Sequence, residues 1–162
     1  MTQTSTNRTA DLLGRDAGSE DFVSFTIDGQ LFGIPVVKVQ DVLSSQRTTP
    51  IPLAPPEIAG SLNLRGRVVT MIDMRLRLGL SPRDSSETEM SIVVEHGQEL
   101  YSLMVDSVGE VLPLNSRGHE RNPPTLDPNM REYADGIYRL DDTLLVVLDV
   151  EKLLDYGRTA VA

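Results

Sequence analysis

Short apolar blocks separated by turn residues dominate the chain, the pattern of strands rather than of long helices. Phe22 to Ile27 reads as a strand, Asp28-Gly29 as a tight turn, and Leu31 to Val36 as the returning strand. From Val36 to Leu43 the spacing changes. Val36, Val39, Val42 and Leu43 fall on one face of a short helix. Pro50, Pro52, Pro55 and Pro56 then impose an extended path, and Glu57 to Leu64 is a candidate for a second short helix. Val68 to Ile72 is a continuous apolar run, expected to be a buried strand. Asp73 suits the cap of a following helix and Gly79 its end. Ser81 to Glu89 is a polar loop and the best candidate boundary. Strands resume at Ser91 to Val94 and, after the Gly97-Gln98 turn, at Leu100 to Val105. Asn115 to Asn129 reads as a long loop. Ile137 to Leu140 and Leu144 to Leu148 flank Asp141-Asp142 as a hairpin, and Asp149 suits the cap of a short helix ending near Tyr156.

The two halves of this pattern repeat. Residues 30–43 (QLFGIPVVKVQDVL) align with 99–112 (ELYSLMVDSVGEVL), so Leu31 falls on Leu100, Phe32 on Tyr101, Ile34 on Leu103 and Val36 on Val105. Val39 then falls on Val108, Asp41 on Glu110, Val42 on Val111 and Leu43 on Leu112. A second match follows in the same order, Met71-Ile72-Asp73 on Val147-Leu148-Asp149. Two ordered matches point to duplication. Each half is too small to bury a large core alone, so the halves are expected to pack on each other and leave a seam.

Composition narrows the function classes. A net charge of −9 and a pI near 4.6 oppose binding to a phosphate backbone or an anionic membrane surface. There is no cysteine, so neither a disulfide framework nor a thiolate metal site is possible. No apolar run approaches a membrane span, and the polar stretch from Met1 to about Glu20 reads as a loose tail without a secretory core.

Candidate chemistry is sparse. The two histidines, His96 beside a turn and His119 in the polar loop, lie in no metal-ligand pattern. The segment GSLNLRG (60–66) has glycines at both ends but lacks the Lys-Ser/Thr of a phosphate loop. Asp73 and Asp149 are better read as helix caps than as paired carboxylates. No set of residues asks for catalysis, a cofactor or a metal, so a mainly β binding protein is expected. Asn63-Leu64-Arg65-Gly66 stands out, because Asn and Gly favour a tight turn that would make Arg65 project. Arg67, Arg75 and Arg77 follow. A guanidinium suits either a partner's carboxylates or an internal salt bridge to the other half, and residue chemistry leaves both readings open.

The segment GSLNLRGRVVTMIDMRLRLGL (60–80) resembles the signature of the CheW family of bacterial chemotaxis coupling proteins. Residues 31–43, 104–112 and 133–154 agree with the same family, so the resemblance runs from about Phe22 to Tyr156. Met74 departs from the usual Leu. No kinase, phosphotransfer or receiver segment is attached, which favours a stand-alone coupling protein. The resemblance implies a mainly β fold. It has two small SH3-like five-stranded β-barrels packed on a shared hydrophobic core, with short helices. The expected boundaries are a tail over 1–20, the domain over 21–157 and a tail over 158–162. Within the domain lie half-units of roughly 21–80 and 90–156, with the exchange of strands between them left open by the sequence.

The resemblance also implies partners. The family links the histidine kinase CheA, through its regulatory domain, to the cytoplasmic tips of chemoreceptors. Its members are cytoplasmic and reach the membrane only through those partners. Carried over by position, the expected partner-binding residues are Val36, Val39, Asp41, Val42, Gly60, Asn63, Arg65, Gly66 and Met90. Met90 falls at the start of the second half, near the seam where a receptor tip is thought to dock. The expectation is therefore a non-catalytic adaptor with two surfaces, one for the kinase domain and an apolar groove at the seam for a helical tip. The alternatives are an adaptor of a non-chemotactic array serving surface motility or gene regulation and, more remotely, a metabolite-binding barrel or hydrolase.

Overall fold

The computed structural model describes residues 18–44, 49–81 and 90–155. Eleven strands and three short helices follow in order among them. The first half supplies β1 (Ser19–Ile27), β2 (Gln30–Pro35), β3 (Val39–Ser44), β4 (Ile58–Leu64), β5 (Arg67–Asp73) and α1 (Met74–Arg77). The second supplies β6 (Met90–His96), β7 (Glu99–Val105), β8 (Ser107–Asn115), β9 (His119–Glu120), α2 (Pro128–Tyr133), β10 (Ala134–Arg139), β11 (Leu144–Leu148) and α3 (Val150–Leu153). Val36–Lys38 and Ser116–Gly118 are single 3₁₀ turns.

Both segments expected to be short helices before α1 are strands. Only Val36–Lys38 turns, and Val39–Ser44 is β3. Glu57 to Leu64 contains β4. Each strand carries a β-bulge. On β3 the register against β6 shifts between Val39 and Asp41, and on β4 the register against β5 shifts between Ile58 and Gly60. One extra residue breaks the two-residue alternation and imitates helical spacing. The expected long loop at Asn115–Asn129 is also partly ordered, since it holds the end of β8, a 3₁₀ turn, β9 and the start of α2. The expected helix caps are present. Asp73 Oδ1 accepts from Leu76 N–H at 3.3 Å, and Asp149 Oδ1 from Glu151 N–H at 3.0 Å. Tyr156 and residues 82–89 lie outside the described residues.

The strands form two sheets with orders β8-β1-β2-β11-β10-β9 and β3-β6-β7-β5-β4. Each curls into a small barrel, mainly β as the pattern predicts. Barrel 1 adds the two-residue β9 to its five main strands. When β6, β7 and β8 are placed on β1, β2 and β3, and β10 and β11 on β4 and β5, the two orders become the same order. Each barrel therefore takes its first hairpin from one half of the sequence and its last three main strands from the other. The halves join through antiparallel pairs, β1 with β8 and β3 with β6, and through parallel pairs, β2 with β11 and β7 with β5. Closure is matched as well. Thr49 exchanges two 2.8 Å backbone bonds with Ser61 of β4 in barrel 2, and β9 pairs with β10 in barrel 1.

Three apolar clusters follow from this arrangement. The largest lies between the barrels and includes Phe25, Ile27, Phe32, Ile34, Ile72, Met74, Ile92, Leu103, Val105, Ile137 and Leu153. Phe25 and Phe32 stack within it at 5.8 Å. Each such side chain contributes about 1.5–3 kcal/mol by leaving water. Two satellites belong to single barrels. Phe22, Tyr138, Leu145 and Val147 form one, and Val69, Val93 and Leu100 the other.

Polar clamps tie the barrels where the halves cross. Arg75 of α1 holds Asp106, between β7 and β8, with Nε–Oδ1 3.1 Å and Nη2–Oδ2 2.6 Å. Asp106 Oδ2 also accepts from the Asp28 N–H at 2.8 Å in the β1–β2 turn. Arg77 donates to the Leu153 carbonyl of α3 at 3.0 Å, pairs with Glu57 at 3.5 Å and lies 4.7 Å from the Tyr133 ring centroid.

Candidate functional site

The β4–β5 hairpin closes through two residues, because Leu64 pairs with Arg67. Arg65 has φ 53° and Gly66 φ 85°, as a twist-matched two-residue turn requires. Asn63 Oδ1 accepts from the Gly66 N–H at 3.0 Å and braces the turn. Arginine in the left-handed region is strained, and its side chain is directed outward, 77% exposed. Its Nη2 lies 3.0 Å from Asp41 Oδ2 on β3. The internal ion pair left open by the sequence exists, but it stays within barrel 2 and within one half of the chain. At that exposure it is worth under about 1 kcal/mol, so the guanidinium remains available to a carboxylate from outside.

Asp41 and Arg65 border a shallow depression at the end of barrel 2, together with Gln40, Leu64, Arg67, Val93 and Leu100. Leu64, Val93 and Leu100 supply its apolar lining, and Asp41, Arg65 and Arg67 bring both charge signs. Val42 is exposed on the same strand as Asp41. Val36, Val39 and Met90 are half-buried and pack against the shared core from its margin. Met90 pairs with Ser44 at the far end of β3. Gly60 is buried in β4 opposite Met71, a strand's length from the Arg65 turn. The structure thus brings Asp41, Asn63, Arg65 and Gly66 together around the turn, with Val42 beside them on β3. It sets Val36 and Met90 toward the two ends of β3, and it gives Gly60 a place in the backbone rather than on the surface. The seam itself is filled by the shared core.

Val68 was hidden by its apolar neighbours. It stands 70% exposed on β5 opposite Asn63, while Val69 points into barrel 2. The run from Val68 to Ile72 is not buried throughout, because a strand at a barrel's end presents alternate residues to solvent. The same alternation, counted from the Gly66 turn, was the available signal. Val111 is exposed at 54%, at the position in β8 that matches Val42 in β3.

No group of three or more metal-ligating side chains occurs among the described residues. His96 lies against Tyr101 with ring centroids 6.4 Å apart, and His119 bonds the Asp135 carbonyl and meets Tyr138 edge-on. His119 also lines an open surface cleft with Arg121, Asn122, Asp135 and Lys152. No described helix is long and apolar enough to cross a membrane.

The comparisons agree with this geometry. Residues 21–158 match the model of the CheW-like domain. The chain is 32% identical over 150 residues to the chemotaxis protein CheW of Klebsiella aerogenes, covering 93% of this chain and 90% of that one. It is 25% identical over 124 residues to the protein PilI of Pseudomonas aeruginosa, covering 76% and 70%. The crystal structure of the scaffolding protein TtCheW from Thermoanaerobacter tengcongensis superposes with a TM-score of 0.76 at 30% identity, covering 85% of this chain and 94% of that one. The barrel pair, the turn at Arg65 and these matches give one conclusion: the chain belongs to the CheW-like domain family and is a non-catalytic chemotaxis scaffold.

Proposed function

We propose that this chain couples chemoreceptors to the histidine kinase CheA in a cytoplasmic array reached through its partners. One surface holds the kinase regulatory domain and another a receptor's helical tip. The observation that carries the reading is the outward Arg65 on a strained, braced turn, beside exposed Val42 and Val68. Apolar side chains next to a charged one, on rigid strands, suit docking more than chemistry. Coupling is then geometric: a scaffold that fixes two partners in register biases the kinase equilibrium by a few kcal/mol. The surface around Asp41 and Arg65 is not an enclosed polar pocket, which favours a protein partner over a small metabolite.

The test is binding of the purified chain to the cognate CheA regulatory domain and, separately, to a receptor tip fragment. The expected result is a complex with each. No detectable complex with either at about 50 µM, a free energy near −6 kcal/mol, overturns the proposal.

A further inference from the structure

The open cleft on barrel 1 is assembled from three elements: β9 with the residues after it, the start of β10, and α3. Hydrogen bonds fix their places. Asn122 Nδ2 donates to the Ala134 carbonyl at 3.3 Å, and its Oδ1 accepts from the Gly136 N–H at 2.9 Å, so one amide spans the bulge of β10. His119 Nε2 bonds the Asp135 carbonyl. Asp149 Oδ1 accepts from the Lys152 N–H at 3.2 Å and holds the turn of α3 that carries that lysine. The cations are left over. Among the described residues neither the Arg121 guanidinium nor the Lys152 ammonium has a hydrogen bond or an ion pair, although Asp135 lines the same cleft. Arg65, Arg75, Arg77 and Arg139 each find a carboxylate.

Barrel 2 contains the same corner and builds it without charge. At the spacing that sets Met71 on Val147, Ile58 to Gly60 fall on Ala134 to Gly136, and Leu76 falls on Lys152. The match is structural as well. Both stretches carry a β-bulge, and Gly60 and Gly136 both take a positive φ, 150° and 100°. The Thr49–Ser61 bridge corresponds to the pairing of Glu120 with Ile137, which sets Pro50 on Arg121 and Ile51 on Asn122. The fold therefore closes this corner with Pro50, Ala59 and Leu76 where barrel 1 has Arg121, Asp135 and Lys152. Barrel closure does not call for charges here, and two cations gathered in one cleft repel each other until an anion joins them.

We propose that this cleft receives a carboxylate side chain from an acidic segment of a protein partner. Arg121 and Lys152 bind the carboxylate, and Asp135 accepts an N–H of the same segment. Charge selects the ligand. Arg121 and Lys152 against Asp135 leave one formal positive charge, which a carboxylate neutralises and a phosphate dianion exceeds. A guanidinium forks onto a carboxylate, and a neighbouring ammonium adds a point charge. The open shape suits a side chain presented by a protein more than an enclosed metabolite. The surface lies on the other barrel from the Arg65 turn, and the inference does not depend on the adaptor reading.

The experiment follows the isotope-labelled full chain by NMR at low salt, with a blocked tetraglutamate peptide, a blocked tetraglutamine peptide and inorganic phosphate added in separate titrations. Saturable shifts are expected at the Gly136 N–H, the Asn122 side-chain amide and Arg121 Nε with tetraglutamate, and none with tetraglutamine. The double variant Arg121→Gln with Lys152→Gln is expected to bind about tenfold more weakly or worse at an unchanged melting temperature, because both side chains are exposed and unpaired. Lys152→Arg keeps the charge and should hold the affinity within about threefold. Arg65→Gln, on barrel 2, should leave it unchanged. No saturable shift up to about 10 mM tetraglutamate overturns the inference. An equal response to tetraglutamine, or affinity that survives in the double variant, also overturns it. Phosphate binding about tenfold tighter than tetraglutamate overturns the assignment of a carboxylate.

Discussion

Arg65 on the β4–β5 turn and Asp41 on β3 meet at 3.0 Å, so the most conspicuous side chain of the hairpin is tied to the far edge strand of its own barrel. The pair couples two residues that the sequence separates by a loop and a strand. Its exposure decides what it does. A guanidinium 77% open to solvent gains little from one carboxylate, whereas the same pair fixes where the arginine points.

A double-mutant cycle of Arg65→Ala and Asp41→Ala measures this directly. The coupling energy in urea unfolding is expected to stay below about 1 kcal/mol. Affinity for a partner should fall about tenfold or more in Arg65→Ala. A large loss of stability with partner affinity intact would instead make the arginine a structural clamp.

Arg75 and Asp106 behave differently because both are mostly buried, at 11% and 17% side-chain exposure. Asp106→Ala leaves a desolvated guanidinium and removes the acceptor of the Asp28 N–H. The expected cost is roughly 3–5 kcal/mol, read as a lower denaturation midpoint with an unchanged slope.

Two glycines with positive φ separate backbone strain from crowding. A Cβ added at Gly66 (φ 85°) meets nothing, so Gly66→Ala is expected to cost about 1 kcal/mol through the backbone alone. A Cβ at Gly136 (φ 100°) collides with the His119 ring and the Glu120 carbonyl, where β9 crosses β10 to close barrel 1. Gly136→Ala should cost roughly 2 kcal/mol or more. Thermal unfolding of both variants checks the order.

Since each barrel is completed by the other half, neither half is expected to fold alone. Peptides spanning 18–81 and 90–155 should each give unfolded spectra and recover strand signal on equimolar mixing. Far-UV circular dichroism reads the outcome, and an independently folded half would refute it.

Tyr138 contributes to an alkaline decline in stability, as do Tyr101 and Tyr133, whose phenols burial also raises. Burial, with smaller contributions from Glu20 and Asp135, raises the Tyr138 phenol above the usual tyrosine value near 10. The folded state then keeps a proton that the unfolded state releases. The contribution of Tyr138 to stability is therefore constant below about pH 10 and is lost as pH rises through the folded value. Tyr138→Phe should flatten that decline in urea titrations at high pH.

The local pattern determined a good deal by itself. Turn chemistry placed the hairpins at Asp28-Gly29, Gly97-Gln98 and Asp141-Asp142. Side-chain oxygens placed the caps at Asp73 and Asp149, and the aligned halves revealed two like units. These features are legible because they depend on neighbours within a few residues. Tertiary structure alone decided the remainder. Bulges at Gln40 and Ala59 disguised β3 and β4 as helices, because only pairing across the sheet shows that a residue is extra. The exchange of hairpins between barrels rests on long-range pairs, antiparallel β1–β8 and β3–β6 and parallel β2–β11 and β5–β7, whose hydrogen bonds leave no local trace. Val68 looked buried and is exposed, and Leu53 looked like one residue of a proline-rich path and stands alone in water. Exposure depends on what the rest of the chain places over a residue, and for both the answer came only from the closed barrels.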